Sequence, residues 1–394
     1  MSKIQGACDE AFEPVRKLMQ QYLDTGEELG VSLFVDWKGK AVIDLWGGYC
    51  DEGRTHRWAE NTITNTWSIS KAITNLAALV LVDRGLLDLD EKVSTYWPEF
   101  GKNGKHTVKV RHILSHTSGV SGWDQPFSTE NMYDLEKSTS RLAEQAPWWE
   151  PGTASGYHAY NQGHLVGELV RRVTGKSLKQ FIADNICRPL QADFQLGAVE
   201  SDWVRIADIC PPQETDSMDS LGVLDPSQPA FKTLTGPPPN AAAANTDQWR
   251  HAELGGANGH GNARSVVQIL STISLGGEAH EVRLLAPATL NRIFEEQANG
   301  VDLVLGKALR FGIGYGLPCT SLPFIPEGRV CYWGGWGGSI AVMDLDRRLT
   351  IGYVMNKMST GTLGSERGES YIKSIYQIIY ELESRVVRGD PKPL

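Results

Sequence analysis

The sequence predicts a mixed α/β protein of the α+β kind: an antiparallel sheet flanked by helices, with a mostly helical domain inserted into it. Two observations carry this. β-rich runs lie near both ends of the 394-residue chain, and helical periodicity dominates the middle. If the terminal strands share one sheet, the middle must be an insertion, and a cleft lies between the two parts. The expected division is residues 1–84 plus 262–394 for the sheet domain and 85–261 for the insert.

Taken in order, Phe12, Val15, Leu18, Met19 and Leu23 recur at spacings of three and four, which predicts a helix from about Asp9 to Gly26. Val31–Trp37 and Ala41–Trp46 are β-rich, and Lys38-Gly39-Lys40 between them predicts a hairpin turn. A polar connection, Asp51 to Asn65, leads to an uncharged run, Ala72 to Val82, that has no Gly or Pro before Arg84-Gly85. This is a buried helix stopped by glycine. Beyond it lie a loop at Leu86–Val93, short helical segments including Val110–His116, and helices at Gly163–Arg172 and Leu178–Ile186 separated by Thr174-Gly175-Lys176. The pattern weakens from Ala192 to Thr246, where Thr235–Ala244 reads as a long loop over a pocket. Ser265–Gly276 is helical again. Phe311–Gly316, Ser339–Asp344 and Leu349–Asn356 are β-rich, and Tyr371–Glu383 is a final helix.

Composition narrows the function. The formal net charge is −9 with no basic stripe, so nucleic acid and anionic membranes are not expected partners. No apolar run reaches spanning length, and the first residues lack the apolar core of a secretion signal. The six cysteines are scattered without metal or disulfide spacing, as in a reducing compartment. The expectation is a cytoplasmic protein without metal or cofactor.

Three constellations point to chemistry. Ser68 and Lys71 stand three apart at the start of the apolar helix, so hydroxyl and amine share a face. The first helical turn adds free N–H groups and the positive end of the dipole. A hydroxyl, an amine and oxyanion donors are the parts of an acyl-transfer site. A second Ser-x-x-Lys, Ser370 to Lys373, falls on the amphipathic final helix and reads as surface. In the second constellation, Pro151-Gly152 precedes Tyr157-His158-Ala159, whose phenol could relay a proton. In the third, Tyr332-Trp333-Gly334-Gly335-Trp336-Gly337-Gly338 leads into a strand, where glycines admit a ligand to backbone donors. Gly-x-Ser-x-Gly, Walker and His-Glu-x-x-His motifs are absent. His112 and His116 lack a nearby acidic third ligand for a metal.

In this order and spacing the three constellations resemble the serine β-lactamase and penicillin-binding-protein superfamily, closest to class C β-lactamase-like hydrolases and family VIII carboxylesterases. Ser68-Ile69-Ser70-Lys71 matches the nucleophile motif. Tyr157 matches the tyrosine of Tyr-x-Asn, and Trp333-Gly334-Gly335 the Lys-Thr-Gly position. Arg84–Asp90, Leu114–Gly119 and Val166-Gly167-Glu168 are also family-like, and the likeness runs from about residue 10 to 385. It implies a β-lactamase/transpeptidase-like fold and a Ser68 acyl-enzyme. Lys71 and Tyr157 would form one proton-shuttling unit, with the formal base undecided between them. The Ser68 and Trp336 N–H groups would hold the oxyanion, and Trp333, Gly335 and His158 would complete the substrate-binding set. Ala159 replaces the motif asparagine and Trp333 the motif lysine, which favours a neutral ester over an anionic lactam. The expected activity is carboxylester hydrolysis of a small molecule. An acyltransferase, a β-lactamase or peptidase, and a non-catalytic binder are the alternatives.

Overall fold

A computed structural model of the protein describes residues 2–212 and 225–388. Six strands form one antiparallel sheet in the order Gln5–Cys8, Lys40–Gly48, Gly30–Trp37, Leu349–Met355, Ile340–Asp344, Val330–Gly334. The two ends of the chain therefore meet at the centre of one sheet. The first hairpin closes on Lys38 and Gly39, both at positive φ (59° and 82°) as a two-residue turn between twisted strands requires.

Period-two alternation covers both faces. Gly352 faces the Ala263–Ser274 helix, where an added Cβ would sit 2.7 Å from Val267. Its neighbour Tyr353 faces the other way and packs edge-on against Tyr371 of the C-terminal helix, Glu366–Arg388. That helix packs with the Glu13–Thr25 helix.

The Ile69–Asp83 helix is buried from Ile69 through Leu81. It lies between the sheet and the helices of the middle segment, touching Gln162–Thr174 and Leu178–Ile182 on one side and Val330–Gly334 on the other. An apolar run with no polar face has to be enclosed on all sides, and its first turn thereby sits at the seam of the molecule.

Several elements differ from expectation. Gln5–Cys8 adds an edge strand, and Ile63–Asn65, inside the expected polar connection, joins a second, four-stranded sheet with Gln195–Leu196, Ile206–Ala207 and Gly259–Gly261. This small sheet crosses the boundary expected between the sheet domain and the insert. Among the described residues Phe311–Gly316 meets the main sheet only at Gly316, which exchanges backbone hydrogen bonds with Tyr332 at 3.0 and 3.1 Å. Ala308–Phe311 pairs with Ala298–Val301 as a separate ribbon, and Gly314, at φ 85°, then turns the chain, closed by Gly312 N–H donating to Tyr315 O at 2.9 Å. The expected loop at Thr235–Ala244 contains the end of a Pro229–Thr235 helix and a short 3-10 turn at Ala241–Asn245. Residues 213–224 of that irregular stretch lie outside the described residues. Among the described residues no helix is long and apolar enough to cross a membrane.

Candidate active site

Ser68 sits at the start of the Ile69–Asp83 helix with φ −71° and ψ −4°. Trp67 before it is held at φ 51°, a strained setting for a bulky residue that persists where surroundings over-determine it. Here the surroundings are two other indoles: Trp67 packs edge-on against Trp249 at 5.5 Å and Trp336 at 5.0 Å. The Ser70 hydroxyl donates to Trp67 O and accepts from Gly259 N–H at 2.8 Å, tying this turn to the small sheet.

Lys71 is fully buried. Its Nζ lies 3.0 Å from Ser68 Oγ, 2.7 Å from Ala159 O and 2.7 Å from Gly256 O. Burial pushes its pKa well below the ordinary lysine value. A neutral amine has two N–H bonds and one lone pair. When the amine is neutral, the two carbonyls, which can only accept, take its N–H bonds and the lone pair is left for the Ser68 hydroxyl.

Tyr157 Oη donates to Ser68 Oγ at 2.8 Å. Burial raises the phenol's pKa above its ordinary value, opposed by its hydrogen-bonding contact with Ser68 and by the nearby Trp333 side chain. The tyrosine ring lies tilted against His116 at 5.0 Å and stacked on Trp333 at 6.4 Å, and Lys71 Nζ lies 4.8 Å from its centroid. Tyr160, the neighbouring candidate for the same role, instead packs edge-on against Trp249 at 6.3 Å.

Val330–Gly334 is the edge strand on this side, and the glycine turn after it brings Trp336 against Trp67. Gly335 and Gly337 N–H donate to Ser339 O and Gly361 O. Among the described residues the N–H groups of Ser68 and Trp336 have no acceptor, which is what an oxyanion site requires. Gly335 has no room for a side chain: a Cβ would meet Thr66 O at 2.7 Å.

Two expected substrate-binding residues face elsewhere. His158 is fully buried, with Nδ1 donating to Gly156 O at 2.6 Å and Nε2 accepting from Ser118 Oγ at 2.7 Å. Both ring nitrogens are spent on the protein, and burial pushes the pKa down to about 3. Trp333 is 4% exposed and lies under Tyr157, stacked on His116 at 5.4 Å, so it supports the phenol. The half-buried Trp336 is the tryptophan left at the opening.

Sequence reasoning missed Gly256, whose carbonyl grips Lys71, although the glycine-rich stretch Gly255–Gly261 was a visible signal. It also missed Asp302, whose Oδ1 accepts the Tyr157 N–H at 3.0 Å across 145 residues of sequence. His112 does not pair with His116 as a metal site. Its Nδ1 accepts from Lys109 N–H at 3.2 Å, and among the described residues no cluster of three or more His, Cys, Asp or Glu is arranged to hold a metal.

The fold is that of a β-lactamase/transpeptidase-type protein. Residues 15–372 match the beta-lactamase family model, and the chain belongs to that family. It is 29% identical to the esterase/beta-lactamase LipL of Mycobacterium tuberculosis over 90% of this chain and 83% of LipL. Among solved structures, a family VIII carboxylesterase is 35% identical with a TM-score of 0.89, covering 95% of this chain and all of that one. A penicillin-binding-protein homologue from Caulobacter crescentus is 31% identical with a TM-score of 0.87 over 95% of this chain and all of that one.

Proposed function

We propose that the protein is a serine carboxylesterase working through a Ser68 acyl-enzyme. The observation that carries this is the single oxygen, Ser68 Oγ, within hydrogen-bond reach of both Lys71 Nζ and Tyr157 Oη. Ser68 Oγ attacks the ester carbonyl and passes its proton to the Lys71 lone pair. The opposite pKa shifts support this division of labour: burial favours the amine as neutral base and the phenol as proton-bearing acid. As the tetrahedral species collapses, the C–O bond to the leaving alcohol breaks. Tyr157 gives that oxygen its proton and recovers one from the Lys71 ammonium. Water then repeats the sequence on the acyl-enzyme and frees Ser68. The Ser68 and Trp336 N–H groups hold the oxyanion, each donor contributing roughly 3 kcal/mol.

The substrate cleft in this reading lies between residues 1–84 plus 262–394 and residues 85–261. A neutral ester suits it. Among the described residues no free cation is offered at its centre, where the one lysine is buried with its pKa pushed well down. The esterase and carboxylesterase names of similar proteins point the same way. The printed name of LipL also includes beta-lactamase, so nitrocefin belongs in the first screen.

The test is hydrolysis of a short-chain p-nitrophenyl ester by wild type and Ser68→Ala at equal concentration. Turnover by the wild type alone is the expected result. Equal turnover by both removes Ser68 as nucleophile. No turnover by either, with or without an alcohol acceptor, sinks the esterase reading.

A further inference from the structure

The Leu114–Gly119 stretch, singled out in the sequence but unused by the mechanism above, touches the residues on both sides of Tyr157. His116 O accepts the Gly156 N–H at 2.9 Å, and His116 Nδ1 accepts the His158 N–H at 3.0 Å. Tyr157's own N–H goes to Asp302 Oδ1. Three successive amides of the tyrosine loop are thus taken by two residues from distant parts of the chain. We propose that His116 and Asp302 form a clamp of positioning residues that holds the Tyr157 phenol on Ser68. This rests on the esterase reading given above.

The clamp is rigid for reasons local to each half. Asp302 Oδ1 also accepts from Val304 N–H and Leu305 N–H, both at 2.9 Å, and Leu303 N–H donates to Ser155 O at 2.8 Å, so the loop between the two ribbon strands is itself folded onto the tyrosine segment. His116 stands at φ 61° with its ring among Tyr157, Trp333, His158 and Phe311. Accepting at Nδ1 requires that nitrogen to be unprotonated, and burial pushes the His116 pKa well below the usual value, so the acceptor persists at neutral pH. Gly156 leaves the loop no slack on its other side, because a Cβ there would meet the Trp149 ring at 2.5 Å.

The experiment measures kcat and KM on an alkyl ester for His116→Ala, His116→Asn and Asp302→Ser. Each is made in the wild-type and Tyr157→Phe backgrounds and assayed well below its own Tm. In the wild-type background His116→Ala should lower kcat by about tenfold or more with KM little changed, since misplacing a reacting group by an ångström costs on the order of a hundredfold. His116→Asn keeps an acceptor oxygen and tolerates the left-handed backbone, so it should recover most of the rate. In the Tyr157→Phe background neither His116→Ala nor Asp302→Ser should cost more, because residues acting through one group are not additive. Equal losses in both backgrounds, or a folded His116→Ala with wild-type kcat, overturn the clamp. Should His116→Ala fail to fold, Asp302→Ser carries the same comparison. A Tyr157→Phe enzyme with wild-type kcat would overturn the role of Tyr157 itself, and the clamp with it.

Discussion

Tyr157→Phe separates proton donation from everything else the residue does. The ring remains, with its packing against His116 and Trp333 and its contact with Lys71. What is lost is the phenol hydroxyl and its 2.8 Å bond to Ser68 Oγ. In folding terms this is one hydrogen bond, about 1 kcal/mol. In catalytic terms a lost general acid costs roughly 10²–10⁴ in rate, or about 3–5 kcal/mol of barrier. The loss should depend on the leaving group. p-Nitrophenolate departs without a proton, whereas a butyl or methyl alkoxide does not. The assay is therefore kcat/KM for a p-nitrophenyl ester and an alkyl ester of the same acid, wild type against Tyr157→Phe. The expected result is a loss at least about tenfold larger for the alkyl ester. Equal losses on both would refute Tyr157 as the acid and return the proton to Lys71 alone.

Other outcomes follow from the same geometry. kcat/KM should be full above the pKa of Lys71, which lies well below 10.5, and fall as pH drops through it and the amine protonates; Lys71→Arg, permanently charged, should be inactive at every pH. Between that pKa and 10.5 the unfolded chain binds a proton the folded one does not, so wild-type stability relative to Lys71→Met should rise with pH in denaturant titrations. Gly337→Ala places a Cβ 2.6 Å from the Met358 side chain at φ 85°, which should displace the turn carrying Trp336 and lower kcat about tenfold or more in steady-state kinetics. Arg367→Met leaves Glu28, which now pairs with the guanidinium at 2.6 Å, buried without a cation and, among the described residues, with only the Tyr353 and Tyr371 hydroxyls donating to it. Equilibrium urea unfolding should show a loss of about 3–5 kcal/mol. That loss should shrink as pH falls, because burial already pushes the Glu28 carboxyl up and the unpaired acid protonates more readily.

Ser68 and Lys71 were legible in the sequence because their relation is local: three residues apart at a helix start, with an apolar run that forces the helix inside. The hairpin at Lys38-Gly39 was legible for the same reason, since turn chemistry acts over four residues. Tyr157 was found through its motif, and the structure brings its hydroxyl to Ser68 while leaving Tyr160 on Trp249. The pairing of Ala308–Phe311 with Ala298–Val301 was not legible, because a β-rich composition does not say which strand will be the partner.

By itself, then, the sequence placed Ser68 beside Lys71 at the start of a buried helix and strands near both ends of the chain, because these follow from short-range periodicity and spacing. The tertiary structure decided the rest of the site. Lys71 is gripped by the carbonyls of Ala159 and Gly256, atoms that every residue possesses and no sequence marks. Asp302 reaches Tyr157 from 145 positions away. His158 and Trp333 look like pocket residues in the sequence, but they turn inward because buried ring nitrogens and indole faces must find partners, and those partners lie within the protein. Which groups meet is set by how the distant segments pack, and that is a property of the fold rather than of any one stretch.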